Sequence, residues 1–108
     1  MSSIYYKDKE FKVQDSKLKI RNIDQLNIEK IEGLSDLTQL RKLDFVYNTI
    51  QEINGLESLI NLEYLTFGNN QIYKIKGLNN LTKLKELSFL SNNIAKIEGL
   101  SNLKILIF

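Results

Sequence analysis

Three asparagines set 22 residues apart, Asn48, Asn70 and Asn92, are the side chains whose type and spacing most plainly promise chemistry. That chemistry is hydrogen bonding. A primary amide carries two N–H donors and a carbonyl acceptor, so a row of buried amides can satisfy backbone groups on neighbouring turns of chain. Losing one rung leaves partners unpaired at about 1–3 kcal/mol. Catalysis is poorly provided for. The chain has no His and no Cys, which removes imidazole bases, thiolate nucleophiles and cysteine-type zinc sites together. A nucleophile would need a lysine base or a carboxylate pair, and the thirteen Asp and Glu are spread over polar positions. No phosphate-binding loop, dinucleotide fingerprint or calcium loop is present, so no enzyme, cofactor or metal is expected. Asn80-Leu81-Thr82 fits a glycosylation acceptor but sits in an ordinary return turn, and it is discounted.

The amides are positioned by a repeat. Residues 40–61 read LRKLDFVYNTIQEINGLESLIN, residues 62–83 read LEYLTFGNNQIYKIKGLNNLTK, and from 84 the chain reads LKELSFLSNNIAKIEGLSNL. The shared frame is Leu-x-x-Leu-x-Phe-x-x-Asn-x-Ile-x-x-Ile-x-Gly-Leu-x-x-Leu, filled at every named position in all three copies. The pairs Leu43/Phe45, Leu65/Phe67 and Leu87/Phe89 alternate with outward residues, which is the pattern of a strand buried on one face. A strand that returns every 22 residues pairs with its neighbour in parallel, stacking into a solenoid. Gly33, Gly55, Gly77 and Gly99 each precede a Leu, suiting a turn that glycine adopts cheaply. Leu56/Leu59/Leu62 and Leu78/Leu81/Leu84 recur at intervals of three, the spacing of a 3₁₀ or tightly wound return.

On these residues the frame resembles the leucine-rich repeat. The Ile-x-x-Ile-x-Gly-Leu spacing is similar to the 22-residue subclass typified by the regulatory subunit of protein phosphatase one. The resemblance covers roughly residues 28–108. It implies an α/β solenoid, right-handed, with a parallel concave sheet and 3₁₀ or helical convex turns, used mainly to bind proteins. It carries over no binding residue, because those occupy variable positions.

Both ends depart from the frame. Ile28, Ile31, Gly33, Leu34 and Leu37 match it, but Leu26 stands in the slot of Asn48 and Arg21 in that of Leu43. A better fit sets Leu18 and Ile20 as inward strand residues, with Phe11-Lys12-Val13 as a preceding strand joined through Gln14-Asp15-Ser16-Lys17. Residues 1–27 then form a hairpin-like cap with a degenerate first repeat, and 28–108 the repeats proper. The alternative is a frayed polar tail before Leu18. Downstream, Leu100 to Phe108 aligns with Leu81 to Phe89, so the last repeat is expected to be three residues short and to end on a strand. Leu106 and Phe108 are expected inward, Ile105 and Ile107 on the concave face. A strand apolar on both sides invites pairing, making Ile105, Leu106, Ile107 and Phe108 a possible assembly edge.

Alternation places the remaining outward residues in columns. Lys42, Tyr64 and Glu86 form one, Asp44, Thr66 and Ser88 the next, and Val46 and Leu90 stand in a third beside Tyr47. This mixture of aromatic, apolar and charged side chains is that of a protein-binding patch centred on Tyr64. The rest of the sequence agrees with a single ordinary domain: 108 residues, 43% hydrophobic, 26% charged, net charge +2. So small a charge argues for neither nucleic acid nor membrane as partner. With no apolar stretch of signal-peptide or membrane-spanning length, a cytoplasmic protein is expected. Three functions stay open: an interaction module, a subunit assembling through its C-terminal strand, and a fragment of a longer array.

Overall fold

A Leu-x-Phe strand can hide one face only by lying on other strands of the same pattern, and the arrangement of the chain follows from that need. The computed structural model describes residues 3–21, 27–101 and 103–108, without the side chain of Leu106. Along them run β1 (Ser3–Tyr6), β2 (Lys9–Lys12), β3 (Lys17–Lys19), β4 (Lys42–Asp44), β5 (Tyr64–Thr66), β6 (Lys74–Ile75), β7 (Glu86–Ser88), β8 (Lys96–Ile97) and β9 (Leu106–Ile107). The main sheet has the order β3-β4-β5-β7-β9, every neighbour parallel. In its centre Lys42, Tyr64 and Glu86 lie side by side, as do Leu43, Leu65 and Leu87. The inward residues are sealed: Leu43, Phe45, Phe67 and Leu87 are all 0% exposed. Phe45 and Phe67 stack with ring centroids 5.8 Å apart and planes within 2°, a contact worth about 0.5–1.5 kcal/mol beyond the area it buries.

Of the 3₁₀ or helical convex turns expected, the return path takes short 3₁₀-type turns. Among the described residues there is no helix. Each return is two successive three-residue turns instead: Leu59 N–H donates to Leu56 O at 3.0 Å and Leu62 N–H to Leu59 O at 3.1 Å, and the bonds recur from Leu81 and Leu84. The leucines spaced by three all point inward from such turns, and two turns are too short a run to propagate as a helix. The glycine before each run sits at φ between +72° and +76° at Gly33, Gly55, Gly77 and Gly99, the left-handed region where a Cβ costs about 1–2 kcal/mol. A second small parallel sheet, β6 with β8, forms where the second isoleucine of the frame passes, a pairing the sequence pattern did not announce.

The N-terminal end is closed differently from expectation. The turn at Gln14–Lys17 forms, with reciprocal backbone bonds of 2.9 Å, but the pairing stops there. Continuing it would set Lys12 against Lys19, whereas β1 offers Ile4 opposite Phe11. The antiparallel hairpin is therefore β1 with β2, turned at Lys7 and Asp8 with φ of 50° and 67°. Its Ile4, Tyr6 and Phe11 are buried against the end of the core. The Tyr6 hydroxyl donates to Glu32 O at 2.8 Å and accepts from Glu32 N–H at 3.0 Å, and burial raises its pKa. No frayed tail exists over residues 3–21. Leu18 and Ile20 are inward as expected, 1% and 0% exposed; the Leu26 slot lies outside the described residues.

The C-terminal register is one residue from the expected one. Leu106 pairs with Glu86 and Ile107 with Leu87, so the last coil is shortened by two residues. One turn, Leu103 N–H to Leu100 O at 3.0 Å, remains of the usual two. A slip of one flips every side chain. Ile105 accordingly packs against the core while Phe108 lies on the concave side, the reverse of the expectation.

Candidate binding surface

Because the frame residues fill the core, the concave face is built from side chains outside the frame. Lys17 and Lys19 reach it from β3, Lys42 from β4, Tyr64 and Thr66 from β5, Glu86 and Ser88 from β7, and Phe108 from beyond β9. Together they line a shallow groove of about 230 Å³ that runs across the strands. Small-molecule pockets enclose about 300–1,000 Å³, so this one suits a polypeptide surface better. Lys42 Nζ stands 5.4 Å from the centroid of the Tyr64 ring, a cation–π contact that holds both in the groove.

The nine expected partner-binding residues divide into two sets. Lys42, Asp44, Tyr64, Thr66, Glu86 and Ser88 come together in the groove. Val46, Tyr47 and Leu90 do not, and lie past the strand ends, with Tyr47 59% and Leu90 60% exposed. Asp44 is a partial departure, since it is only 9% exposed. Its carboxylate is tied to Arg21 Nη2 at 3.0 Å and accepts the Val46 N–H at 3.0 Å, which makes it a strut of the face more than a free contact. Lys17 and Lys19 were missed, and Phe108 was expected inward at the assembly edge. Alternation from the inward Leu18 would have exposed the two lysines; Phe108 was hidden by the register slip.

Beneath the groove run the amides. Asn70 Nδ2 donates to Phe45 O at 2.9 Å and Phe67 O at 2.8 Å, while its Oδ1 accepts from Ile50 N–H at 3.0 Å. Asn92 repeats this one coil on, with Phe67 O and Phe89 O both at 2.9 Å and Ile72 N–H at 3.0 Å. Asn48 donates to Ile20 O at 2.8 Å and Phe45 O at 2.9 Å, but its buried Oδ1 has no partner among the described residues. The residue before each amide, Tyr47, Asn69 and Ser91, has φ of 59°, 58° and 57°, the reversal that swings the amide inward.

The outer surface carries charge ladders. Glu63 is clasped by Arg41 Nε at 2.8 Å and Lys85 Nζ at 3.1 Å, and those cations, Arg41 first, hold its pKa at about 2. Glu98 bonds Lys96 at 3.1 Å and Lys74 at 3.4 Å, which lowers its pKa in the same way. Among the described residues no three carboxylates gather to hold a metal ion, and no helix is long and apolar enough to cross a membrane.

With this geometry in view, the architecture is a leucine-rich repeat solenoid, a fold whose general work is protein–protein interaction. Residues 60–102 match the model of leucine-rich repeats in two copies. Among solved structures the chain is similar to an internalin, inlF, of Listeria monocytogenes, with 28% identity and a TM-score of 0.56 over 74% of this chain and 32% of that one. It is similar also to internalin C2 of the same organism, at 26% identity and a TM-score of 0.60 over 83% of this chain and 51% of that one. The chain thus spans about a third and about half of their lengths. No curated protein matches it.

Proposed function

We propose that the chain is a non-catalytic interaction module that seats part of a partner protein on its concave sheet. The observation that carries this is Tyr64, half-buried at the centre of the groove between exposed Lys42 and Glu86, with a ring that takes no part in the hydrogen-bonded frame. A ring held this way loses little freedom on binding and brings a large contact area. Val46, Tyr47 and Leu90 belong to the reading as an apolar flank. Residues 1–27 serve as the cap, lending Lys17 and Lys19 to the concave face, and 28–108 as the repeats, in the manner of the 22-residue subclass whose offset the central coils keep. Cytoplasmic residence is part of the proposal and is checked by fractionating cells that express the tagged chain. Replacing Tyr64 and Leu90 together by Ala should abolish partner capture in a pull-down and leave the melting temperature within about 2 °C, as expected of surface changes. Undiminished capture refutes the reading.

A second reading is favoured by one observation: Ile97, Ile107 and Phe108 are 52%, 47% and 51% exposed at the C-terminal end. This edge would then take another coil, from a second copy or from a longer array of the length the two internalins have. The hairpin over the opposite end favours tail-to-tail pairing over a filament. Sedimentation velocity across a hundredfold concentration range separates the cases, and a monomer throughout removes self-assembly.

A further inference from the structure

We propose that the partner presents an extended acidic segment, read by Lys17, Lys19 and Lys42, followed by an apolar side chain that meets Phe108. The inference rests on the concave face being the binding surface and specifies its ligand.

Lys17 and Lys42 are direct neighbours across β3 and β4, both exposed and both lining the groove. Like charges so placed repel each other. Nothing among the described residues relieves them, for neither lysine lies in an ion pair, and Lys42 has only the ring of Tyr64. Lys19 flanks Asp44, whose carboxylate is already taken by Arg21 at 3.0 Å. Elsewhere the fold settles such conflicts internally: Arg41 and Lys85 share Glu63 at 2.8 and 3.1 Å, and Lys74 and Lys96 share Glu98 at 3.4 and 3.1 Å. The groove is where three lysines converge beside one carboxylate, that of Asp44, which Arg21 and the Val46 N–H already occupy. A ligand carboxylate would fill that place, gaining charge-assisted hydrogen bonds and ending the repulsion.

The other end of the groove has the opposite character. Glu86 is exposed there, and Phe108 is 51% exposed. A nucleic acid strand, negative at every phosphate, would meet Glu86 unfavourably, whereas a peptide can be acidic at one end only. Dimensions fix the spacing. From β3 to β9 is four strand separations, about 19 Å, and extended chain advances about 3.3 Å per residue. The acidic residues and the apolar anchor therefore stand four to six residues apart.

The test is selection of random 12-residue displayed peptides on the intact chain, followed by fluorescence anisotropy of the enriched peptides. The expected peptides carry two or more Asp or Glu with an aromatic or aliphatic residue four to six positions away. Lys17→Glu with Lys42→Glu should weaken them at least tenfold with an unchanged circular dichroism spectrum, and 0.5 M NaCl should weaken them likewise. Neutral or basic peptides that are nonetheless lost on Tyr64→Ala overturn the acidic assignment and leave the concave reading intact. Peptides indifferent to every groove substitution overturn both. No enrichment, or tighter binding of a labelled 12-nucleotide oligouridylate than of any peptide, also refutes the proposal.

Discussion

Replacing Asn70 by Ala tests the central physical argument. The amide is 7% exposed and bonds four backbone groups, but they do not suffer equally: Gly68 O, its longest contact at 3.2 Å, keeps the Tyr47 N–H at 2.9 Å. Phe45 O keeps the donor from Asn48 at 2.9 Å, and Phe67 O keeps that from Asn92 at 2.9 Å. Ile50 N–H has only Asn70 Oδ1, at 3.0 Å, and is orphaned inside the core. One buried unpaired donor costs about 1–3 kcal/mol and each lost second bond about 0.5–1 kcal/mol, so the variant should lose about 2–5 kcal/mol. That is a large share of the roughly 5–15 kcal/mol expected of a domain. Asn92→Ala removes the equivalent bonds from a half-buried site where water can replace them, and should cost about half as much. Urea unfolding followed by circular dichroism, at a common slope, reads both values. An Asn70→Ala loss under about 0.5 kcal/mol, or one smaller than that of Asn92→Ala, refutes the idea that shared amides bind the coils together.

Two further outcomes follow from the outer surface and the cap. Because Glu63 titrates near 2 in the folded chain against 4.5 ordinarily, its contribution is whole above pH 4.5 and fades as pH falls toward 2, with Glu98 acting in the same direction. The melting temperature should drop over that window, and Glu63→Gln should flatten the drop; an equal slope in both proteins contradicts the assignment. Tyr6→Phe removes the hydroxyl that bonds both the N–H and the carbonyl of Glu32, costing about 1–3 kcal/mol. Amide exchange should quicken across residues 3–12, and unchanged protection there would show that the hairpin does not depend on this anchor.

The sequence made the solenoid legible because its frame repeats in three copies, so Leu43, Phe45, Asn48 and their counterparts explain one another. Where repetition ended, so did the signal. Ile105, Leu106, Ile107 and Phe108 are all apolar, and alternation cannot choose a face when both candidates are greasy. The hairpin turn at Lys7 and Asp8 carries no glycine, yet both residues take positive φ, so composition gave no warning of it. The reversal before each amide was equally masked, because Tyr47, Asn69 and Ser91 share a conformation but no chemistry. Lys17 and Lys19 stood in plain view beside Leu18, outside any repeated column, and only the sheet brought Lys17 next to Lys42 and Lys19 next to Asp44.

The shared register of the central coils has an evolutionary reading. Tyr64 pairs with Glu86 as Lys42 does with Tyr64, and Asn92 reaches back to Phe67 as Asn70 reaches back to Phe45. Copying any single unit in phase would regenerate all of these bonds without a compensating change elsewhere, whereas copying half a unit would break every one. Gene duplication can therefore lengthen the reading surface in increments of one strand width, about 4.8 Å, and then vary the outward residues of the new unit while the frame looks after itself.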